Sequence, residues 1–211
     1  MNQFFNKIYL INLKRRSDKL ASAKAELDRH GIIYTQVQAV DGLDISTDMV
    51  ASTFSEEDGR FVLALAITLS EIFKDAAVKG YEKILIFEDD IELHNIHIFD
   101  EAIKDLPSNF DILYLGAQHK LEPYNVGPHL VKVRESYLCH AMGFGKDAIE
   151  YLRWAILEKP NEQVYSYIQS YRDNSFCVSP NIAFQKNSLS DISGLVANYD
   201  FILEKEKSLS I

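Results

Sequence analysis

An α/β fold is expected for this chain, a Rossmann-like, mainly parallel but mixed sheet flanked by helices. Three observations carry the expectation. Short apolar runs rich in β-branched and aromatic residues, "KIYLINL" at 7–13, "KILIF" at 83–87 and "FDILYLG" at 110–116, read as buried strands. Segments with helical spacing stand between them, and this alternation implies right-handed crossovers. The strands also run into polar or charged residues at their carboxyl ends, where open α/β sheets bind ligands.

The first strand, 7–13, is followed by Ser17 as a helix N-cap, and Leu20, Ala21, Lys24 and Leu27 keep helical spacing until His30-Gly31 closes the helix. "IIYTQVQAV" at 32–40 reads as a second strand, stopped by the turn pair Asp41-Gly42. Residues 43–59 are polar and acidic, a long connection with the character of a lid. Leu63, Ala66, Ile67, Ser70, Phe73, Ala77 and Val78 share one helical face that ends at Gly80. Strand 83–87 follows, then a short helix near 95–105, strand 110–116, and a loop over 116–129 with two glycines and two prolines. "LVKVRESYL" at 130–138 alternates like one half-exposed strand. Helices are expected at 146–157 and 161–172, and short strands at "FCV" and "NIAFQ". There are no internal repeats and no low-complexity linkers.

The chain has 211 residues, 47% hydrophobic and 25% charged, an ordinary composition for one globular core. Its net charge of −9 argues against a nucleic-acid partner, because phosphate backbones demand clustered cations. The longest apolar run, "FVLALAI", is far short of the ~20 residues that cross a bilayer, and the N-terminus lacks signal-peptide order, so a cytoplasmic protein is expected. Cys139 and Cys177 suggest two half-buried thiols rather than a disulfide framework or a metal cluster.

The rim of strand ends carries the chemistry. Glu88, Asp89 and Asp90 follow a buried strand, and adjacent carboxylates repel unless a cation joins them. Oxygen ligands suit Mg²⁺ or Mn²⁺, which keep positions open for phosphate oxygens; the plainer reading is a solvated acidic turn. Lys14, Arg15, Arg16 and Lys19 crowd the start of a helix that is already positive, and a docking anion would relieve them. A solvated basic surface is the alternative. His140 reads as a satisfied core histidine and Trp154 as core, Tyr165, Tyr167 and Tyr171 divide between core and a sugar-stacking wall, and His119 is exposed without a role.

Four blocks in order, spanning residues 6–194, resemble glycosyltransferase family 25, the lipooligosaccharide and procollagen sugar-transferase family. They are "KIYLINLKRRSDKLASAKAELDRHGIIYTQVQAVDG", "LSEIFKDAAVKGYEKILIFEDDIEL", "YLCHAMGFGKDAIEYL" and "SPNIAFQKNSLSDISG". The resemblance implies a GT-A type fold, a nucleotide-sugar donor, usually a UDP-hexose with galactose or glucose foremost, and inversion at the anomeric carbon. It implies Mn²⁺ (or Mg²⁺) at a DxD-like motif, here Glu88-Asp89-Asp90. Asp90, with Glu88, would hold the metal; Glu88 or Asp89 would face ribose or sugar, and Asn12, Arg15 or Arg16, and Asp41-Gly42 would line the nucleoside end.

The whole of 1–211 is expected to be one glycosyltransferase domain, with a donor half to about 115, an acceptor half over about 116–195 and a tail at 196–211. The acceptor would be a glycan or lipid-linked oligosaccharide in surface polysaccharide synthesis, reached at the cytoplasmic face of a membrane through peripheral association. Two positions depart from the family pattern: Ser70-Glu71 where Ser-His is usual, and Pro160-Asn161-Glu162 where Pro-Val-Asp is usual. Inverting transfer needs a base for the acceptor hydroxyl. Glu162 is the first candidate and Asp191 the second, though Glu162 could merely favour its helix start and Asp191 merely cap a turn. Other classes remain: a Mg²⁺-dependent nucleotidyltransferase or phosphatase, or a non-catalytic sugar-nucleotide or glycan-binding module. A glycine-rich phosphate loop and an aspartate nucleophile after the first strand, which the two rival enzymes need, are missing.

Overall fold

A computed structural model describes residues 1–46, 56–137, 140–158, 174–189, 191 and 196–198. Strand β1 (Lys7–Leu13), helix α1 (Ser17–Arg29) and strand β2 (Thr35–Ala39) open the chain; a 3₁₀ turn at Gly42–Asp44 then leads towards α2 (Glu56–Val78). Next come β3 (Lys83–Phe87), β4 (Ile91–Leu93), α3 (Ile98–Ala102) and β5 (Ile112–Tyr114). Short strands β6 (Gln118–Leu121), β7 (Tyr124–Gly127), β8 (Leu130–Lys132) and β9 (Glu135–Tyr137) precede β10 (Ala141–Gly145) and α4 (Lys146–Glu158). β11 (Ser175–Val178), β12 (Ala183–Gln185), β13 (Ser188–Leu189) and β14 (Val196–Ala197) complete the described elements.

Eight strands form one sheet in the order β2-β1-β3-β10-β5-β11-β8-β7. β1 pairs in parallel with β2 and β3, and β5 with β11, whereas β10 and β8 run against all their neighbours. This is the mixed, mainly parallel sheet expected of a GT-A type fold. Alternation along each strand divides the core. Tyr9, Ile11, Ile84 and Ile86 face α2 and α4, while Ile8, Leu10, Leu85 and Phe87 face α1 and α3. The connection from the carboxyl end of β1 leads to β2 on one side, and the one from β3 leads on to β5 on the other, so they diverge between β1 and β3. That is the switch point at which such sheets open a crevice.

Several expectations change. The α1 N-cap is Arg16, without a side-chain cap bond, and Ser17 is already helical. The Arg16 guanidinium bonds instead to Asp18 and Asp191. Helix α2 begins at Glu56, inside the segment read as a loop; residues 47–55, the rest of that segment, lie outside the described residues. Val78 ends the helix and is 86% exposed, while the buried stripe runs through Ala66, Leu69, Phe73 and Ala76. The 116–129 loop contains β6 and β7, and the single strand expected over 130–138 is two, β8 and β9, which join different sheets. Helix 161–172, with Tyr165, Tyr167 and Tyr171, lies outside the described residues.

The central strand β10, "AMGFG", has no obvious strand signature because two of its five residues are glycine. Packing explains them: a Cβ on Gly143 would lie 2.8 Å from the Phe5 ring, and one on Gly145 would lie 2.0 Å from the Phe110 carbonyl oxygen. Trp154 is 63% exposed rather than core, since Ala148, Ile149, Leu152 and Ile156 form the inward face of α4; the Arg153 guanidinium lies over its ring. Cys177 is fully buried rather than half-buried, and Cys139 lies outside the described residues. Among the described residues no helix is long and apolar enough to cross a membrane.

Candidate active site

The carboxyl ends of β1, β2 and β3 meet as one rim. Asn12, the sixth residue of β1, is buried, and its amide nitrogen donates to the Arg16 carbonyl at 3.0 Å and to the Asp89 carboxylate at 2.5 Å. One side chain thereby joins the loop after β1 to the acids after β3. The Asp41-Gly42 turn follows β2. Asp41 accepts from the Leu43 amide at 3.0 Å and from Arg15 Nε at 2.6 Å. Burial works against its charge, but these two donors outweigh burial and hold its carboxyl below the usual range. Gly42 lets α2 approach: a Cβ there would lie 2.3 Å from the Phe61 ring. Phe61, Ala64 and Leu65 of α2 form the apolar wall of the cleft opposite the acids.

The basic cluster is paired with carboxylates. Arg15 Nη1 donates to Asp191 Oδ1 at 2.5 Å, and Arg16 donates to the other oxygen of Asp191 and to Asp18. Asp191 sits in the connection between β13 and β14, which pair through Ser188–Ala197 and Leu189–Val196. Lys19, one helical turn beyond Arg15, is 8% exposed. Its ammonium lies 3.5 Å from Asp90, 3.6 Å from Asp191 and 4.0 Å from Asp89.

The acidic motif is held from both sides. Backbone bonds run from the Glu88 amide to the His140 carbonyl at 2.9 Å and from the Lys186 amide to the Asp90 carbonyl at 2.6 Å. Gln185 of β12 donates to Asp90 Oδ2 at 3.2 Å, while Asp90 Oδ1 is buried with no hydrogen-bond partner among the described residues. Burial, then the Asp90 and Asp89 charges, push Glu88 up to about 8 against the pull of Lys19. Burial also raises Asp89, against the pull of Asn12 and Lys19. Burial is the leading cause at both groups, and at Glu88 the two neighbouring acids add to it.

Among the described residues no three His, Cys, Asp or Glu side chains converge on a metal position. The donor set still fits a hard divalent ion that keeps several waters and substrate oxygens. Such an ion takes one or two carboxylates, and the uncommitted oxygen of Asp90 and the charge-starved Glu88 are of that kind.

Asn12, Arg15, Arg16, Asp41, Gly42, Glu88, Asp89, Asp90 and Asp191 are thus brought to one rim. Glu162 lies outside the described residues. Glu71, the position of departure from the family pattern, is on the exposed side of α2, paired with Lys74 at 2.9 Å, and does not line the cleft. His140 is buried against the Ala183 backbone, and burial lowers its pKa. His119 is half-buried and bonded to Ser136 Oγ at 2.6 Å. Sequence reasoning did not single out Gln185 or Phe61, nor Lys19 apart from its cluster. Only the i, i+4 spacing of Phe61 and Leu65 hinted at the apolar wall.

Among solved structures, the chain is similar to a glycosyltransferase involved in the glycosylation of the major capsid of PBCV-1. The two share 13% identity over 97% of this chain and 98% of that one, with a TM-score of 0.49. It is also similar to A197 from STIV, at 11% identity over 92% and 94% of the two chains and a TM-score of 0.44. Among curated proteins none matches the chain. The profile described as "Glycosyltransferase family 25 (LPS biosynthesis protein)" matches residues 5–151, well over half of the 211. The chain belongs to glycosyltransferase family 25, and it is a glycosyltransferase.

Proposed function

We propose that the protein moves a hexose, galactose or glucose, from a UDP-sugar to a glycan acceptor with inversion at the anomeric carbon, in the synthesis of a surface polysaccharide or lipooligosaccharide. The observation that carries this reading is the meeting of a basic helix start and an under-compensated acidic motif at the switch point of the sheet, joined through Asn12. A metal would bring the positive charge that the buried acids lack, and a diphosphate would take the place of carboxylates now bonded to the arginines.

The reading assigns Asn12, Arg15, Arg16, Asp41, Gly42, Glu88 and Asp89 to the donor, and Asp90 with Glu88 to Mn²⁺ or Mg²⁺. When bound, the ion would draw charge from the diphosphate and ease its departure. Residues to about 115 supply the donor half and about 116–195 the acceptor half. Glu162 is the proposed base, with Asp191 second. Both carboxylate oxygens of Asp191 are already engaged by Arg15 and Arg16, with Lys19 beside them, which leaves Asp191 behind Glu162 as a candidate. The acceptor is a lipid-linked oligosaccharide met at the cytoplasmic face of a membrane.

Release of UDP from a panel of sugar nucleotides, with and without Mn²⁺, tests the reading. One UDP-hexose should stand out, and only with metal. If no donor is turned over and Asp90→Ala leaves nucleotide binding unchanged, the reading is wrong.

A further inference from the structure

Three cations meet the acids at this rim, and they are engaged differently. The Arg15 guanidinium is hydrogen-bonded to Asp41 and Asp191, and that of Arg16 to Asp18 and Asp191. Lys19 is more buried than either, yet its three carboxylate neighbours lie at 3.5–4.0 Å, and none of its N–H donors makes a hydrogen bond among the described residues. An ammonium carries three donors, and burying it without hydrogen bonds is unfavourable unless a partner arrives. Lys19 also lines the same cleft as Glu88, Asp89, Asp90 and Asp191, so a ligand there can reach those donors.

We propose that Lys19 is a catalytic residue of the transfer: its ammonium binds the phosphoryl oxygen from which the sugar departs and offsets the charge that the leaving diphosphate acquires. This rests on the donor reading above. In the step, the acceptor hydroxyl oxygen bonds to the anomeric carbon as the bond from that carbon to the β-phosphoryl oxygen breaks. The hydroxyl proton passes to the base. The electron pair of the broken bond stays on the phosphoryl oxygen, so the diphosphate gains one negative charge. A compact point charge at Lys19, fixed by Asp89, Asp90 and Asp191, meets that charge without moving. The guanidinium groups would first have to leave their carboxylates.

Titration calorimetry with UDP and UMP in the presence of Mn²⁺, on wild type, Lys19→Gln and Lys19→Arg, separates this role from that of a structural counter-ion. Lys19→Gln should weaken UDP at least about tenfold and UMP less than about twofold, with Lys19→Arg recovering part of the difference. Its kcat should fall about 100-fold or more with a much smaller change in donor KM, because the charge develops in the transition state. Equal loss for the two nucleotides, or an unchanged kcat, overturns the proposal. A wild-type measurement stands beside these in case Lys19→Gln does not fold. UDP, but not UMP, should protect Lys19 from acylation by an amine-reactive ester, mapped by peptide mass spectrometry, and equal labelling overturns the role. No binding of UDP by wild type defeats the donor reading and this role together. Wild-type binding that Lys19→Gln leaves intact defeats the role of Lys19 alone.

Discussion

The basic and acidic halves of the rim lie side by side, yet their charges are settled in opposite ways. On the basic half the Arg15 and Arg16 guanidinium groups are bonded to Asp41, Asp191 and Asp18, a closed ionic cluster. On the acidic half three consecutive carboxyls share Lys19, Asn12 and Gln185, and Glu88 is pushed up to about 8. A phosphate can enter the first half only by exchange for a carboxylate, whereas a cation can enter the second by simple addition. The metal and the diphosphate therefore do different work on arrival, and substitutions in the two halves should differ in kind as well as size.

The largest effect is expected at Asp90. Asp90→Ala should lower metal-dependent turnover by on the order of 10²-fold or more, measured as UDP release, because it removes a charge-stabilising ligand from the reacting end. Gln185→Ala, which releases only one oxygen of Asp90, should weaken Mn²⁺ binding about tenfold, read by electron paramagnetic resonance of the free ion. An unchanged Mn²⁺ affinity would show that Asp90 needs no such support.

Glu88 gives the contrast a pH dependence. Between its ordinary value of 4.5 and about 8, folded Glu88 keeps a proton that the unfolded chain releases. Stability of the metal-free protein should therefore fall as pH rises through that window. Glu88→Gln keeps the neutral form throughout. It should melt several degrees above wild type near pH 8.5 in chelator, and nearly with it near pH 4.5. Equal melting curves at both pH values would mean that the acidic half is already compensated. The smallest effect belongs to the basic half. Arg15 is 37% exposed, and Arg15→Ala should cost at most about 1 kcal/mol of stability in urea unfolding, since screened surface pairs contribute little. A loss well above that would mark the basic half as structural rather than exchangeable.

The legible part of the molecule is the part whose signals are local. β1 and β3 are continuous apolar runs, α1 closes on Gly31 at φ 63°, and the rule that ligands gather at strand ends led to Asn12, Asp41 and the acids without coordinates. β10 escaped notice because its glycines answer to the Phe5 ring and the Phe110 carbonyl, both far away in sequence. β6 and β7 were hidden because short strands outside the core carry little apolar alternation, and β8 and β9 because the chain changes sheets between them. At the site, the pairing of Gln185 with Asp90 and of Asp191 with the arginines depends on segments brought together only by the whole sheet. Asp191 was reached through family resemblance, not periodicity. The burial of Lys19 has no local signal, since Ser17 and Asp18 before it are exposed and Leu20 after it is only partly buried.

The contacts that close the cleft span most of the chain: 77 residues between Asn12 and Asp89, 95 between Asp90 and Gln185, and 176 between Arg15 and Asp191. Loops of that length close at an entropic cost that only a largely assembled sheet repays. In time, then, the rim is the last thing the chain makes. During refolding, the far-ultraviolet circular dichroism of helices and sheet should recover before nucleotide binding does, and an intermediate with a finished scaffold and no working cleft should be separable by its inability to hold UDP.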